Sequence, residues 1–377
     1  MWGSLSRSWR VVLSNLIVEV CKIESIKKHP NADKLSVVKI KGWNVVVGLN
    51  QYNIKDLIVF VPPDSIIPPD IIIKYNLTYL KNGGRVGITK LRGYISEGLI
   101  LDVPEGNYKV GDNVADILGI TKYVPPEPKY QSSPRMTSKK KLHPYFDKYT
   151  EIENIKNYNN IFNNGDIVVV TEKIHGTSSR YGNLKIYYTN TTPLLHKLLM
   201  LFQKYIMKKS YSFIYGSHNV QLSATNTNTY YGEDVYGKIG QKYNMKNIIP
   251  NDYIIYGEIY GLGVQDLTYG INEKDMRVFD IKKVIEKQVI KYQNWEFVKS
   301  FCDNNGLKYV PELYVGDYYE GIVDDFVSGN STICATQIRE GIVIKCLNES
   351  THPLIGRKIL KALNPEYLLR QKGSEYK

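Results

Sequence analysis

Residues 165–180 read GDIVVVTEKIHGTSSR. Ile167–Val170 is an unbroken apolar run, the pattern of a strand buried on both faces, and it feeds directly into Glu172-Lys173. Gly176 permits a turn just beyond, so the strand delivers Lys173 to a cleft at its end rather than to a core. A lysine amine is ordinarily protonated, with a pKa of ~10.4, and is then no nucleophile. Desolvation or a neighbouring cation lowers that pKa and frees the lone pair. Taken alone, the segment fits an exposed loop lysine as well.

Its company narrows the choice. Downstream come Ile255-Tyr256-Gly257-Glu258-Ile259-Tyr260-Gly261, Met276-Arg277-Val278-Phe279-Asp280-Ile281, Glu340-Gly341-Ile342-Val343-Ile344-Lys345 and Arg357-Lys358-Ile359-Leu360-Lys361. Two of these put a carboxylate at a strand edge beside glycine, one offers an aromatic followed by an acid, and the last clusters cations. The set suits a nucleotide: Phe279 to stack on the base, Glu258 for ribose hydroxyls, Glu340 for metal-bound water, and Lys345, Lys358 and Lys361 for phosphate oxygens. A polyphosphate bound with a divalent metal also supplies the cation that Lys173 needs.

Around these segments the chain is expected to be α+β, because strands and helices mix without strict alternation. Ile17–Ile23, Leu35–Ile40, Trp43–Val47 (after the Lys41-Gly42 turn), Leu57–Val61, Arg85–Leu91 and Leu99–Val103 predict a small β-barrel with no competing helical period. Residues 123–144, rich in Pro and Ser with Lys139–Lys141, predict a linker or strap. Beyond it, strands are expected at Tyr253–Tyr256, Arg277–Ile281 and Glu340–Cys346, and helices at Pro193–Lys208, Trp295–Asn304 and Pro365–Arg370. Gly261-Leu262-Gly263 lacks the rest of a dinucleotide fingerprint and is read as a turn.

Composition sets the outer limits. A chain of 377 residues that is 43% hydrophobic and 23% charged is an ordinary globular protein of two or three domains. No apolar run approaches the ~20 residues of a membrane-spanning helix, so no membrane role is expected. The net charge of +12 and pI near 9.1 favour a polyanionic partner, nucleic acid above all. Cys21, Cys302, Cys334 and Cys346 form no CxxC pair, there is no HExxH, and no GxxxxGK(S/T) is present. Neither a zinc site nor a disulfide framework is therefore expected, a P-loop is excluded, and a reducing compartment is the default. Met1–Leu16 has Ser and Arg but no acid, which suits either an organellar transit peptide or a plain leader.

The collinear segments resemble motifs I, III, IIIa, IV and V of the covalent nucleotidyltransferases. His175 in place of the aspartate common in DNA ligases and capping enzymes resembles RNA ligases, the phage-type branch with EKxHGT in particular. His29-Pro30-Asn31-Ala32-Asp33-Lys34-Leu35, Pro62-Pro63-Asp64-Ser65, Leu91-Arg92-Gly93 and Tyr149-Thr150-Glu151-Ile152-Glu153 are similar to the Deinococcus-type RNA ligases. In that family an N-terminal OB domain precedes an adenylyltransferase domain of antiparallel sheets and helices.

The resemblance implies a leader at 1–16, an OB domain at 17–122, the linker at 123–144 and the adenylyltransferase domain at 145–377. With little sequence after Lys361, the C-terminal OB domain of DNA ligases and capping enzymes is not expected. It further implies an ATP-dependent RNA ligase using Mg²⁺ or Mn²⁺, with Lys173 as nucleophile and Lys345 and Lys361 assisting. His175 is expected to orient the loop or to touch the α-phosphate or pyrophosphate. Glu172 and Ile174 would line the ATP site beside Lys173, and Glu340, Glu258 and Asp280 would face the metal.

The implied partner is RNA, as a nicked duplex or as ends bridged by a DNA or RNA strand, bound by a monomer in the cytoplasm, that of a viral or phage host included, or in mitochondria if the leader is a transit peptide. Lys90, Arg92 and Tyr94 are candidate RNA contacts on the barrel, which otherwise only braces its neighbour. Ser217-His218-Asn219-Val220 replaces the arginine of motif Ia, leaving His218 as a partly charged RNA contact. Ser178 stands where the phage branch often has asparagine. The rival expectations are a DNA ligase, a capping guanylyltransferase, and a non-catalytic RNA- or tRNA-binding OB protein.

Overall fold

A computed structural model describes residues 16–80, 83–124, 143–158, 160–186, 193–205, 210–222, 233–285 and 289–370. The leader, most of the 123–144 strap with Lys139–Lys141, and the last residues of the expected 193–208 helix lie outside the described residues. Two units emerge: one takes in Met1–Pro126, Glu151–Asn159 and Pro365–Lys377, the other Glu127–Thr150 and Asn160–Asn364, so far as these are described.

In the first unit Leu35–Ile40 pairs antiparallel with both Ser25–Lys28 and Trp43–Gly48. Lys41 and Gly42 both have positive φ, the condition for a two-residue hairpin whose twist matches its strands. Leu57–Val61 runs between Glu19–Lys22 and Leu99–Leu101. Its unbroken apolar character has a physical reason. Ile58 and Phe60 enter a core with Val38, Ile40 and Trp43, while Val59 and Val61 enter another with Val20, Ile67 and Val114. This is the expected OB-type barrel.

One expectation fails there. A helix, Pro69–Lys74, interrupts the strands. Pro in its first turn and Asp70 near its N-terminus favour the start, but six residues are too few for a helical period to show in sequence. Arg92 and Gly93, again at positive φ, close a second hairpin between Ile88–Leu91 and Tyr94–Glu97.

Glu97 is a buried charge of this unit; its two oxygens accept from Lys156 Nζ at 2.8 and 2.9 Å, with the ammonium 4.5 Å above the Trp43 ring. Lys156→Ala strands that carboxylate, and denaturant melts should show a loss of ~3 kcal/mol. A loss below 1 kcal/mol contradicts the assignment.

Besides a two-stranded ribbon of Thr351–His352 with Gly356–Arg357, the second unit holds two large antiparallel sheets. One contains Ile359–Leu363, Gly341–Cys346, Ile167–Lys173 and Glu312–Asp317 as successive neighbours. Val168, Val169 and Val170 are fully buried in it, as their apolar run demands. The other orders Gln221–Leu222, Tyr211–Ser217, Thr177–Lys185, Tyr253–Gly261, Lys274–Ile285 and Val289–Tyr292. Trp295–Asn304, capped by Asn294, packs on the Lys274–Ile285 strand. Among the described residues, no helix is long and apolar enough to cross a membrane.

Candidate active site

Lys173 is the last residue of a strand in one sheet, and Thr177 is the first of a strand in the other. Ile174-His175-Gly176 thus carries the chain from sheet to sheet, and the lysine stands at the seam. Register then fixes which side chains share its face. Lys173 lies opposite Gly341, Val343 opposite both Thr171 and Lys361, and Lys345 opposite Val169 and Ile359. Directly opposed and alternate residues point the same way, at ~7 Å per two-residue step. Lys173, Lys345 and Lys361 therefore occupy one face, and Glu172 the other.

At the seam Lys173 Nζ donates to Glu340 Oε1 at 2.7 Å, with the carboxylate side chain only 8% exposed. The second oxygen, Oε2, is buried and has no hydrogen-bond partner among the described residues. An orphaned carboxylate oxygen is costly, and it suits a ligand that brings a cation or a donor. Glu258 faces the same pair. Burial pushes its carboxyl up to about 8; the Lys173 ammonium and the Gly176 N–H oppose the rise, while Glu340 adds to it.

This has a consequence for stability. Between about 4.5 and 8 the folded protein keeps a proton on Glu258 that the unfolded chain has released, so stability falls as pH rises through that window. Glu258→Gln does not titrate, so its melting temperature should rise by several degrees relative to the parent between pH 5 and pH 8. A constant gap across that range contradicts the assignment.

The turn itself is tightly held. The His175 N–H donates to Tyr269 Oη at 2.6 Å, and its ring Nε2 lies 2.7 Å from Asp266 Oδ1. His175 is buried, and the pairing with Asp266 fixes its ring. Gly176 is required by close approach, since a Cβ there would come within 2.1 Å of the Ile259 carbonyl oxygen. Behind the strand, Glu172 accepts from Ser331 Oγ, Thr332 N and Thr332 Oγ1. Its side chain braces a loop and does not line the lysine's face. Ile174 is a core side chain.

Three other expectations need correction. Asp280 is no metal-facing group: it is fully buried, accepts from Tyr149 Oη at 2.7 Å and Arg357 Nη1 at 2.5 Å, and lies 3.6 Å from Lys345. Burial works to raise its pKa, but Arg357 and Lys345 outweigh that and hold it below the usual carboxylate range. Lys358 does not serve the phosphate face, because its Nζ is 2.6 Å from Asp166 Oδ2 and near the Phe162 ring. Glu258 is mid-strand, between Ser178 and Arg277, rather than at an edge. Among the described residues no three His, Cys, Asp or Glu side chains converge as a metal site.

The remaining candidates take varied places. Lys345 is buried, donates to the Phe279 carbonyl at 3.2 Å and sits 4.6 Å over the Trp295 ring; burial pushes its pKa below the ordinary lysine range. Phe279 is the extra residue of a bulge between Gly257↔Val278 and Tyr256↔Asp280, and its ring packs 4.8 Å from Tyr149. In the first unit Lys90 pairs with Glu366 at 3.3 Å, whereas Arg92 is exposed at its hairpin tip. His218 lies in the turn between Tyr211–Ser217 and Gln221–Leu222. Sequence reasoning missed Tyr269, Asp266, Gln337, Ser331 and Thr332, which lie in loops with no local pattern to mark them.

A lysine at a sheet seam, ion-paired to a buried carboxylate with further lysines on the same face, is an arrangement that suits group transfer. The profile of the RNA ligase family matches residues 166–363, and an OB-fold domain profile matches residues 17–103. The chain belongs to the RNA ligase family. Similar solved structures include Naegleria gruberi RNA ligase as a point mutant with ATP and Mn and as another with AMP and Mn. Each is 22% identical with a TM-score of 0.68, covering 95% of this chain and 99% of that chain. The same ligase with PPi is 23% identical, with a TM-score of 0.67 and the same coverage. These likenesses establish a shared fold over both units. No curated protein matches.

Proposed function

We propose that the protein seals RNA 3′-hydroxyl to 5′-phosphate ends with ATP, acting on nicks held by a complementary strand. The observation that carries this reading is the Lys173–Glu340 pair at the seam, with Glu340 Oε2 unpartnered among the described residues. Lys173 gives up its proton, its nitrogen bonds to the α-phosphorus of ATP, and the bond to pyrophosphate breaks. The resulting lysyl-AMP passes its adenylate to the RNA 5′-phosphate, which frees the lysine. The 3′-hydroxyl then loses its proton and attacks that phosphorus, and AMP departs.

Each displacement is in line, so catalysis rests on positioning and charge neutralisation. Lys361, on the lysine's face, meets phosphate oxygens; Lys345 holds the Phe279 carbonyl and so places that ring beside the base. Glu258 meets the ribose. Glu340 and Glu258 fit a divalent cation, Mg²⁺ or Mn²⁺, which when bound supplies charge neutralisation at phosphate oxygens. The ATP and Mn complexes of the Naegleria ligase support both groups.

The test is a sealing assay with nicked duplexes in which each strand in turn is RNA or DNA. Joining is expected with an RNA strand carrying the 3′-hydroxyl, with AMP released. Joining of all-DNA nicks at an equal rate contradicts the RNA assignment.

A further inference from the structure

One loop grips both flanks of the nucleophile. Ser331 and Thr332 hold the Glu172 carboxylate, one residue before Lys173. Six residues on from Ser331, Gln337 Oε1 accepts from the Tyr269 backbone N–H at 2.7 Å, and its Nε2 reaches Thr268 Oγ1 at 3.4 Å. Tyr269 in turn takes the His175 N–H, two residues after Lys173. The segment then ends at Glu340, the partner of Lys173 itself.

The middle of this chain is strained. Tyr269 has φ +53, which a bulky side chain rarely adopts, and its ring is buried edge-on against Tyr260 at 5.3 Å. Such a conformation persists only where the surroundings enforce it. Gln337 is the group that satisfies the Tyr269 N–H in that conformation, and the hydroxyl then lies where it takes an amide of the turn.

We propose that Tyr269 is a positioning residue for the first chemical step, holding the 174–176 turn so that the Lys173 amine lines up with the α-phosphorus, with Gln337 fixing Tyr269. This rests on the function proposed above. Tyr269 touches neither nucleotide nor RNA in this scheme. Its hydroxyl acts through the His175 amide, so its loss lowers the rate of lysine adenylylation and leaves nucleotide affinity alone.

The experiment measures single-turnover adduct formation with α-labelled ATP, together with sealing of chemically pre-adenylated RNA, which bypasses the lysine adduct. Tyr269→Phe keeps the ring and is expected to slow adduct formation ~10- to 100-fold, since small misplacements of a reacting group cost that much. The ATP concentration giving half-maximal rate should stay within about twofold. Sealing of the pre-adenylated strand should persist. Gln337→Leu should behave like Tyr269→Phe, and Gln337→Glu, which keeps the acceptor oxygen, should restore most of the rate.

An unchanged adduct rate in Tyr269→Phe overturns the proposal. So does a rise in the half-maximal ATP concentration at full rate, or equal loss of both reactions in step with a fallen melting temperature. If the parent protein itself forms no adduct, the proposed function fails and carries this inference with it; a fast parent and an equally fast variant defeat the positioning role alone.

Discussion

Lys173→Ala should form no labelled adduct with ATP at any divalent ion concentration, a loss of at least about 10⁴-fold, because no neighbouring amine can take over. Lys361 sits a strand away opposite Val343, and Lys345 is buried under the Phe279 carbonyl. The variant should still join a strand supplied already adenylated, since the final displacement uses the 3′-hydroxyl and not the lysine. Folding should survive, because the Lys173 side chain is 26% exposed at the end of its strand. Mass spectrometry and melting curves check this directly. A full-strength adduct in a folded Lys173→Ala protein would falsify the assignment of the nucleophile.

A large effect on stability is expected at Arg357. Its guanidinium bonds Asp280, Tyr149 and both oxygens of Glu349, and stacks 3.9 Å over the Tyr292 ring. Arg357→Leu removes the nearer cation from Asp280 at zero exposure and leaves it Lys345 at 3.6 Å, a cost of ~3 kcal/mol. The melting temperature should fall by ~10 °C. Adding Asp280→Leu should return part of that loss, because a buried pair replaced by apolar groups costs less than a pair broken on one side. A double variant no better than the single one would show that the charge is not the reason. The same experiment bears on Asp280: its loss should act on melting and leave the metal dependence of adduct formation unchanged.

Much of the scaffold was legible where the signal is local. Leu35–Ile40, Leu57–Val61, Trp295–Asn304 and Pro365–Arg370 have the expected bounds, because apolar runs, caps and proline starts act within a few residues. Thr177–Lys185 was not legible. TSSRYGNLK shows no apolar alternation, yet Ser179, Arg180 and Tyr181 are buried there by partners from distant strands. Val235–Lys242 hides its helix behind Gly237 and Gly240, where Gly237 fits under the Asp234 cap and Gly240 lies against Tyr181.

The site shows the same division. Lys173, His175, Glu258 and Glu340, which the structure gathers at the seam, stand in short motifs where each is marked by its neighbours in the chain. What those motifs do not encode is which carboxylates are already committed. Asp280 sits next to Phe279 in a plausible pattern, but its partner Arg357 is 77 residues away. Glu172 adjoins the lysine in sequence and points to the opposite face, a difference of one residue that a strand's alternation makes decisive.

The three-residue crossing from Lys173 to Thr177 has mechanical meaning. It is anchored by Gly176 lodged against the Ile259 carbonyl, and so contains no slack. Sliding one β-layer past the other by an ångström therefore cannot be absorbed locally and must displace the amine. With Lys173 in its proposed role, distant substitutions that shift one sheet against the other should register first as slower adduct formation, before any fall in thermal resistance.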